Sequence, residues 1–497
     1  MTVIPTHRVV PVDPSANRQL ELLRAQRDDF LADGPPSAEV RLDRIDRFLA
    51  SVLEHVDELT EALDADFGNR PRIASLLSDI AGVIPGVEHI RNNIDEWMAD
   101  QEVVGSDAAG TPTFVQIRPK GVVGVIGPWN FPVLLVVHPA IEALAAGNRI
   151  MIKFSEIPSR TADVFAKAIA TRMSPEEVVV IRGGVSTAST FSDLAFDHII
   201  FTGSPAVGAL VAENAGRNLV PVTLELGGKN PVVLGDDADV AFAAERISGV
   251  RMMNGGQICL CPDYVFVPRA KVDDFVNEYR SSVENHFADY PNNPGVVTIV
   301  NDRNFDRVTA LIDDAVSKGA RAISLVADED QKSLPDRASR RIAPTLLLDV
   351  TSQMAIAAEE IFGPVIVVYP YDELTEAIDH INAQPSPLAA YWFGSDSADF
   401  REYIRRTTSG GVTRNDLVVH WGVEGAPSGG IGRSGMGAYS GKVGFDTFSH
   451  HRTVTASTTE TALAARFIPP AGDVEAETIG AAIGYALDAI QQRLSKS

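Results

Sequence analysis

Five short apolar runs, each followed by a helix-length segment or a glycine loop, constrain the fold of this chain more than any other feature. Residues 122–126, 149–154, 178–181, 198–201 and 220–224 have the length and β-branched content of buried strands. Helical stretches such as residues 134–146, closed by Gly147-Asn148, lie between them. Repeated strand–helix alternation predicts an α/β fold with a doubly wound parallel sheet. In such sheets ligands gather at loops leaving the strand ends. The loops are therefore where chemistry is sought.

A second α/β unit is expected over residues 262–411. Its predicted helices cover 270–287 and 302–318, and its strands 322–326, 345–348 and 365–369. Before the first unit, residues 1–17 read as an extended arm. Leu42, Ile45, Leu49, Val52, Val56, Leu59 and Leu63 step by three and four. That spacing predicts one amphipathic helix from Ser37 to Gly68-Asn69. A second helical run is expected over 73–98. The run 113–120 alternates like a half-exposed strand. At the other end, Ile479, Ile483, Leu487, Ile490 and Leu494 share one face of a helix that must pack on something or fray.

Bulk properties exclude several functions. The chain has 497 residues, 45% hydrophobic and 22% charged, which suits a globular protein of two or three domains. A net charge of −23 repels phosphate backbones, so nucleic acid is not expected as a partner. Two cysteines, Cys259 and Cys261, make no disulfide framework and no metal-ligand set with histidine. A reducing cytoplasm fits them best. The first residues carry no signal pattern, and the apolar run 131–137 is too short to span a bilayer. No membrane association is expected.

Cys259 follows Asn254-Gly255-Gly256-Gln257 and precedes a β-rich run. A thiol attacks only as thiolate, and a Gly-rich bend lets a backbone N–H approach the reacting atom. The alternative is a small buried hydrophobe. Asn130, in the loop after the strand 122–126, is a candidate donor to an oxyanion or a loop amide bonding its own backbone. Glu225, before Gly227-Gly228, is a candidate general base or a turn cap. Lys153 and Glu156 follow another strand and suit ribose hydroxyls or a surface ion pair. Thr202-Gly203-Ser204-Pro205 opens a helix with Ser204 as N-cap and Pro205 in its first turn, a place for a pyrophosphate. It lacks the usual dinucleotide fingerprint. The run Gly429–Gly437 reads as loop.

Taken in order, Pro128-Trp129-Asn130-Phe131-Pro132, Lys153-x-Ser155-Glu156, Phe201-Thr202-Gly203-Ser204, Glu225-Leu226-Gly227-Gly228-Lys229, Gly256-Gln257-x-Cys259 and Glu360-Ile361-Phe362-Gly363-Pro364 resemble the aldehyde dehydrogenase superfamily. The resemblance covers about residues 20–455. Asp66-Phe67-Gly68-Asn69, Cys259-x-x-Pro262-Asp263 and Ser434-Gly435-Met436-Gly437 through Phe445 look like its class 3 branch, and within it the coniferyl aldehyde dehydrogenases.

The resemblance implies two doubly wound parallel-sheet domains plus a small β oligomerisation element. Residues 1–228 would bind the nicotinamide cofactor, 229–411 would carry the thiol, and 412–497, with the strands near 113–120, would form the oligomerisation part of a homodimer. It implies oxidation of an aldehyde to a carboxylic acid, with Cys259 as nucleophile, Glu225 activating water and Asn130 facing the oxyanion. The cofactor would be NAD, with NADP as the alternative. It would be held by Trp129, Lys153, Glu156, Gly203, Ser204, Gly208, Glu360 and Phe362. An aromatic aldehyde such as coniferyl aldehyde is the implied substrate; a medium- or long-chain aliphatic aldehyde, or a silent member of the fold, is the rival. No metal is implied. Ser428 departs from the family pattern, where phenylalanine is usual, which points to a wider or wetter pocket. Cys261 reads as a packing residue, or else as a redox partner of Cys259.

Overall fold

The computed structural model describes residues 15–107, 110–457 and 473–495. It divides into two compact units: Met1–Met98 with Arg118–His450, and Ala99–Ile117 with His451–Ser497. The expected arm 1–17 lies mostly outside the described residues. A helix already begins at Ala16 and runs to Asp33.

The larger unit holds two sheets. In the six-stranded sheet, Val222–Leu226, His198–Gly203, Val122–Ile126, Arg149–Lys153 and Val178–Ile181 are all parallel, and Gly435–Met436 adds an antiparallel edge. In the seven-stranded sheet the order is Arg321–Ser324, Thr345–Leu348, Val365–Tyr371, Pro262–Pro268, Asn230–Leu234, Ala389–Phe393 and Gly411–Arg414; only the first pair is antiparallel. Continuous apolar strands buried on both faces explain the parallel arrangement. Val122, Val123, Ile150, Ile152, Val232, Val233 and Leu234 have no more than a trace of exposure.

Three expectations are corrected. The predicted helix from Ser37 to Gly68 is two helices, Ala38–Leu53 and Val56–Phe67. At the break the His55 ring lies 2.8 Å from the Ser51 carbonyl, so a side chain takes a bond that a continuing helix gives to a backbone N–H. The strand expected at 220–224 runs Val222–Leu226, which places Glu225 on the strand rather than after it. The glycine run 429–437 is not all loop. Gly435 pairs with Glu225 and Met436 with Leu224. A Cβ on Gly435 would stand 2.6 Å from the Leu224 carbonyl oxygen, so this close edge admits only glycine.

The run Arg72–Met98 is long and apolar enough to cross a membrane by length and composition, with mean hydropathy 1.3. It is broken near Leu76–Ile80, and Ile80, Val83, Val87, Ile90, Ile94 and Trp97 are buried within the fold. Those buried residues face the core, whereas Ile73, Leu77 and Ile84 are exposed, so the run packs one face on the fold.

In the smaller unit, Gln101–Glu102 pairs antiparallel with Thr113–Pro119, and Ser449–Thr455 completes a three-stranded sheet. The helix Asp473–Leu494 includes the expected amphipathic segment. Its apolar residues Ile479, Ile483, Leu487, Ile490 and Leu494 are all exposed.

Candidate active site

Cys259 stands in the loop between the turn Met253–Gly256 and the strand Pro262–Pro268. Gly255 and Gly256 have φ of 64° and 75°, which a side chain tolerates poorly. A Cβ on Gly256 would also lie 2.3 Å from the Gly363 carbonyl oxygen. Distant side chains pin the loop. Asn230 Nδ2 donates to the carbonyls of Cys259 at 2.7 Å and Cys261 at 2.9 Å. The Tyr391 hydroxyl donates to the Leu260 carbonyl at 2.6 Å. Gln257 Nε2 donates to Thr298 at 3.1 Å, and its Oε1 accepts from the Val300 N–H at 2.9 Å. None of these partners is near in sequence, so no local pattern reveals them.

The two thiols differ in setting. Cys259 is half-buried, whereas Cys261 is 4% exposed with Sγ 3.6 Å from the Val250 carbonyl oxygen. Burial, then the charges of Glu360 and Glu225, push the Cys259 thiol up to about 12. The backbone N–H groups of Cys259 and Leu260 act in the opposite sense.

Asn130 follows the strand Val122–Ile126. Its Nδ2 donates to the Gln257 carbonyl at 3.1 Å, so it borders the cysteine loop rather than bonding its own backbone. Its carbonyl accepts from Arg70 at 2.8 Å. Arg70 is fully buried and paired with Asp79, whose Oδ1 accepts from the N–H groups of Val133 and Leu134 at 3.0 and 3.1 Å. That buried pair sets the position of the loop.

Glu225 is 8% exposed, and its buried Oε1 has no hydrogen-bond partner. Burial raises its carboxyl well above the usual range. Glu360 precedes the strand Val365–Tyr371. Burial, then Asp263, pushes it up to about 8, against an opposing hydrogen bond from the Gly228 N–H. Arg307 fixes the backbone there, donating to the Glu360 carbonyl at 3.0 Å and to Ile361 at 2.7 Å. Lys229 ties the same segment down through Asp263 and through the carbonyls of Ile356 and Glu359 at 2.9 and 3.0 Å.

These groups meet in one cavity of about 540 Å³. Its lining includes Cys259, Glu225 and Asn130 together with Trp129, Glu156, Gly203, Ser204, Glu360 and Phe362. Trp129 and Phe362 meet edge-on, with ring centroids 5.3 Å apart. Ser204 caps the helix Pro205–Arg217, as expected, accepting from the Val207 N–H at 3.4 Å. Two expected residues do not line the cavity. Lys153 is buried, and its amine donates to the carbonyls of Phe154 and, at 2.7 Å, Gly183. Gly208 lies under Leu226, where a Cβ would stand 2.6 Å from its side chain. Arg307, Trp421 and Tyr439 line the cavity without having been anticipated. Each sits outside the recognisable motifs.

Comparison with known proteins agrees with this arrangement. The model of the "Aldehyde dehydrogenase family" matches residues 31–454. "Probable coniferyl aldehyde dehydrogenase" of Caulobacter vibrioides is 45% identical over 439 residues, spanning 87% of this chain and 90% of that protein. "Coniferyl aldehyde dehydrogenase" of a Pseudomonas species is 42% identical over 424 residues, 85% and 88% of the two chains. Among solved structures, Staphylococcus aureus AldH in a substrate-bound state superposes with a TM-score of 0.85 at 30% identity, covering 92% of this chain and 98% of that one. The chain therefore belongs to the aldehyde dehydrogenase family and is an NAD(P)-dependent oxidoreductase acting on aldehydes.

Proposed function

We propose that this protein oxidises an aromatic aldehyde of the coniferyl type to its carboxylic acid through a thioester on Cys259. The chemistry rests on the gathering of one half-buried thiol, one buried carboxyl with an unpartnered oxygen and one loop amide in a single cavity, and the substrate class on the relatives named for coniferyl aldehyde. The Cys259 thiolate adds to the aldehyde carbon, giving a thiohemiacetal. Its oxyanion accepts from the Asn130 amide and the Cys259 N–H, donors of a kind each worth about 3–4 kcal/mol. A nicotinamide cofactor, when bound, would supply the hydride acceptor needed for this adduct to become a thioester. Glu225 then takes a proton from water, the hydroxide attacks the thioester carbon, and the thiol is restored as the acid leaves. Burial raises the Glu225 carboxyl above its usual range, which makes it a stronger base than an exposed carboxylate.

The residues present fit the cofactor. The buried Glu360 Oε1 has no partner, and a ribose hydroxyl in the cavity would satisfy it. Gly203 and Ser204 open a helix whose N–H groups suit a pyrophosphate. Exposed Glu156 faces the cavity at another strand end, and its charge disfavours a 2′-phosphate; this supports NAD over NADP. Lys153 and Gly208 act from behind this row, one bracing the turn at Phe154 and Gly183, the other seating the Ser204 helix on Leu226. Trp129 and Phe362 would flank the nicotinamide.

In this reading residues 1–228 serve the cofactor and 229–411 the thiol, and 412–497 with the strands near 113–120 serve oligomerisation, with Trp421 and Tyr439 also lining the cavity. A cytoplasmic homodimer free of membrane fits two unpaired thiols, the core-facing stripe of Arg72–Met98 and the exposed apolar face of Asp473–Leu494.

The test is kinetic. Cys259→Ser should abolish reduction of NAD by any aldehyde. Glu225→Gln should give one burst of reduced cofactor per thiol and then stall, with acyl-enzyme visible by mass spectrometry. Normal steady turnover by Glu225→Gln would remove Glu225 from this role.

A further inference from the structure

Position 428 carries a small residue beside the cavity, and the structure shows what it holds. Ser428 is 5% exposed and lies directly opposite Tyr439, exchanging both backbone hydrogen bonds with it at 2.8 and 2.9 Å. Its hydroxyl donates to the Trp421 carbonyl at 3.5 Å. Ser428 itself does not line the cavity; Trp421 and Tyr439 do, beside Leu135 and Cys259. Behind both, the buried His138 ring packs edge-on to Trp421, with centroids 5.5 Å apart, and tilted against Tyr439 at 5.2 Å. Glu142 fixes the turn after Tyr439, accepting from the N–H groups of Ser440 at 3.0 Å and Gly441 at 2.9 Å.

We infer that Trp421 and Tyr439 form an aromatic wall of the aldehyde pocket that selects planar aromatic aldehydes, and that Ser428 is the small residue which makes room for it. This rests on the aromatic-aldehyde reading above. Two rings braced by a third, His138, make a stiff surface. An aromatic aldehyde stacks on such a surface, whereas a flexible alkyl chain gains less and loses rotamer freedom there. A ring at position 428, nearly buried and opposite Tyr439, should displace Tyr439 across the pair or the Trp421 loop tethered beside it.

The experiment measures kcat/KM for cinnamaldehyde and hexanal with the full-length enzyme and NAD. The wild type should prefer cinnamaldehyde. Trp421→Ala should lower the cinnamaldehyde-to-hexanal ratio by about tenfold, mostly through KM for cinnamaldehyde. Trp421→Phe, which keeps a ring, should bring the ratio back to within about threefold of the wild type. Ser428→Phe should lower the ratio, although it adds an aromatic residue. A wild type that prefers hexanal overturns both the substrate reading and the wall. A wild type that prefers cinnamaldehyde, with a preference that survives Trp421→Ala or rises with Ser428→Phe, overturns the wall alone. A Trp421→Phe ratio as low as that of Trp421→Ala also overturns it.

Discussion

Gly227 lies so close to Glu360 that a Cβ built on it would stand 2.2 Å from the carboxyl oxygen Oε2. The glycine pair after Glu225 therefore has a second purpose beyond the turn. It leaves space for the head of a side chain that comes from 133 residues further along the sequence (360 minus 227). Glutamate is flexible enough to swing away, so Gly227→Ala should displace the carboxyl without unfolding the chain. A displaced Glu360 would forfeit the cofactor hydrogen bonds proposed for it, and KM for NAD should rise by about tenfold. Melting temperature should change little. A variant with wild-type KM for NAD shows that Glu360 does not contact the cofactor.

Lys229 and Asp263 form a buried ion pair, with side chains 9% and 2% exposed. Asp263 Oδ2 also accepts from the Ile361 N–H at 2.9 Å, so the pair anchors the segment bearing Glu360. Asp263→Asn leaves the Lys229 ammonium without its counter-charge. The expected cost is about 3–5 kcal/mol in urea unfolding. Replacing both, as Lys229→Met with Asp263→Leu, should recover most of that stability. The double variant should still raise KM for NAD, because leucine at 263 cannot accept from the Ile361 N–H. A double variant with wild-type KM for NAD would mean the pair contributes packing and nothing to the site.

The thiol should be sluggish in the free enzyme. Burial, together with the negative charges of Glu360 and Glu225, pushes Cys259 up to about 12. Its alkylation by iodoacetamide should then climb about tenfold per pH unit between pH 7 and 9, with no plateau. Glu360→Gln removes a like charge, lowers the thiol pKa, and should speed labelling at pH 9. Peptide mapping should find the label on Cys259 and not on buried Cys261. A plateau below pH 8, or slower labelling of Glu360→Gln, contradicts this account.

The motifs disclosed the ends of strands, because apolar runs and glycine loops are local signals. Cys259, Glu225, Asn130 and Glu360 could be grouped on that basis, and the fold places all four on one cavity. The supports of these residues were hidden. Asn230 reaches Cys259, and Tyr391 reaches Leu260, through hydrogen bonds across the sheet that no spacing encodes. Lys153 carried a strand-end signature, yet its amine turns inward to backbone carbonyls, since a buried ammonium takes the nearest acceptors. The break at His55 escaped notice because apolar periodicity continues through it. Trp421 had no local signal: its place in the pocket depends on a loop held by Ser428 and His138.

His198 predicts how stability responds to acid. Lys120 Nζ approaches its Nδ1 at 3.0 Å, and its Nε2 lies 2.9 Å from Thr223 Oγ1. An ammonium can only donate, so Nδ1 accepts and the ring proton sits on Nε2, donating to Thr223. Burial, then the Lys120 charge, lowers His198 to about 3, far below its ordinary 6.5. Above pH 6.5 the ring is neutral whether the chain is folded or not, and stability is at its full value. As pH falls below 6.5 the unfolded chain binds a proton that the folded chain refuses. Stability is then lost by about 1.4 kcal/mol per pH unit until pH nears 3. His138, lowered to about 4 by burial, adds a loss of the same sign over a shorter window. His198→Gln keeps an acceptor for Lys120 and a donor for Thr223 but cannot titrate. Its urea midpoint should match the wild type near pH 7 or fall slightly below it, and should decline less steeply between pH 6 and 4. Parallel profiles for the two proteins would mean that His198 is protonated in the fold, which the Lys120 contact forbids.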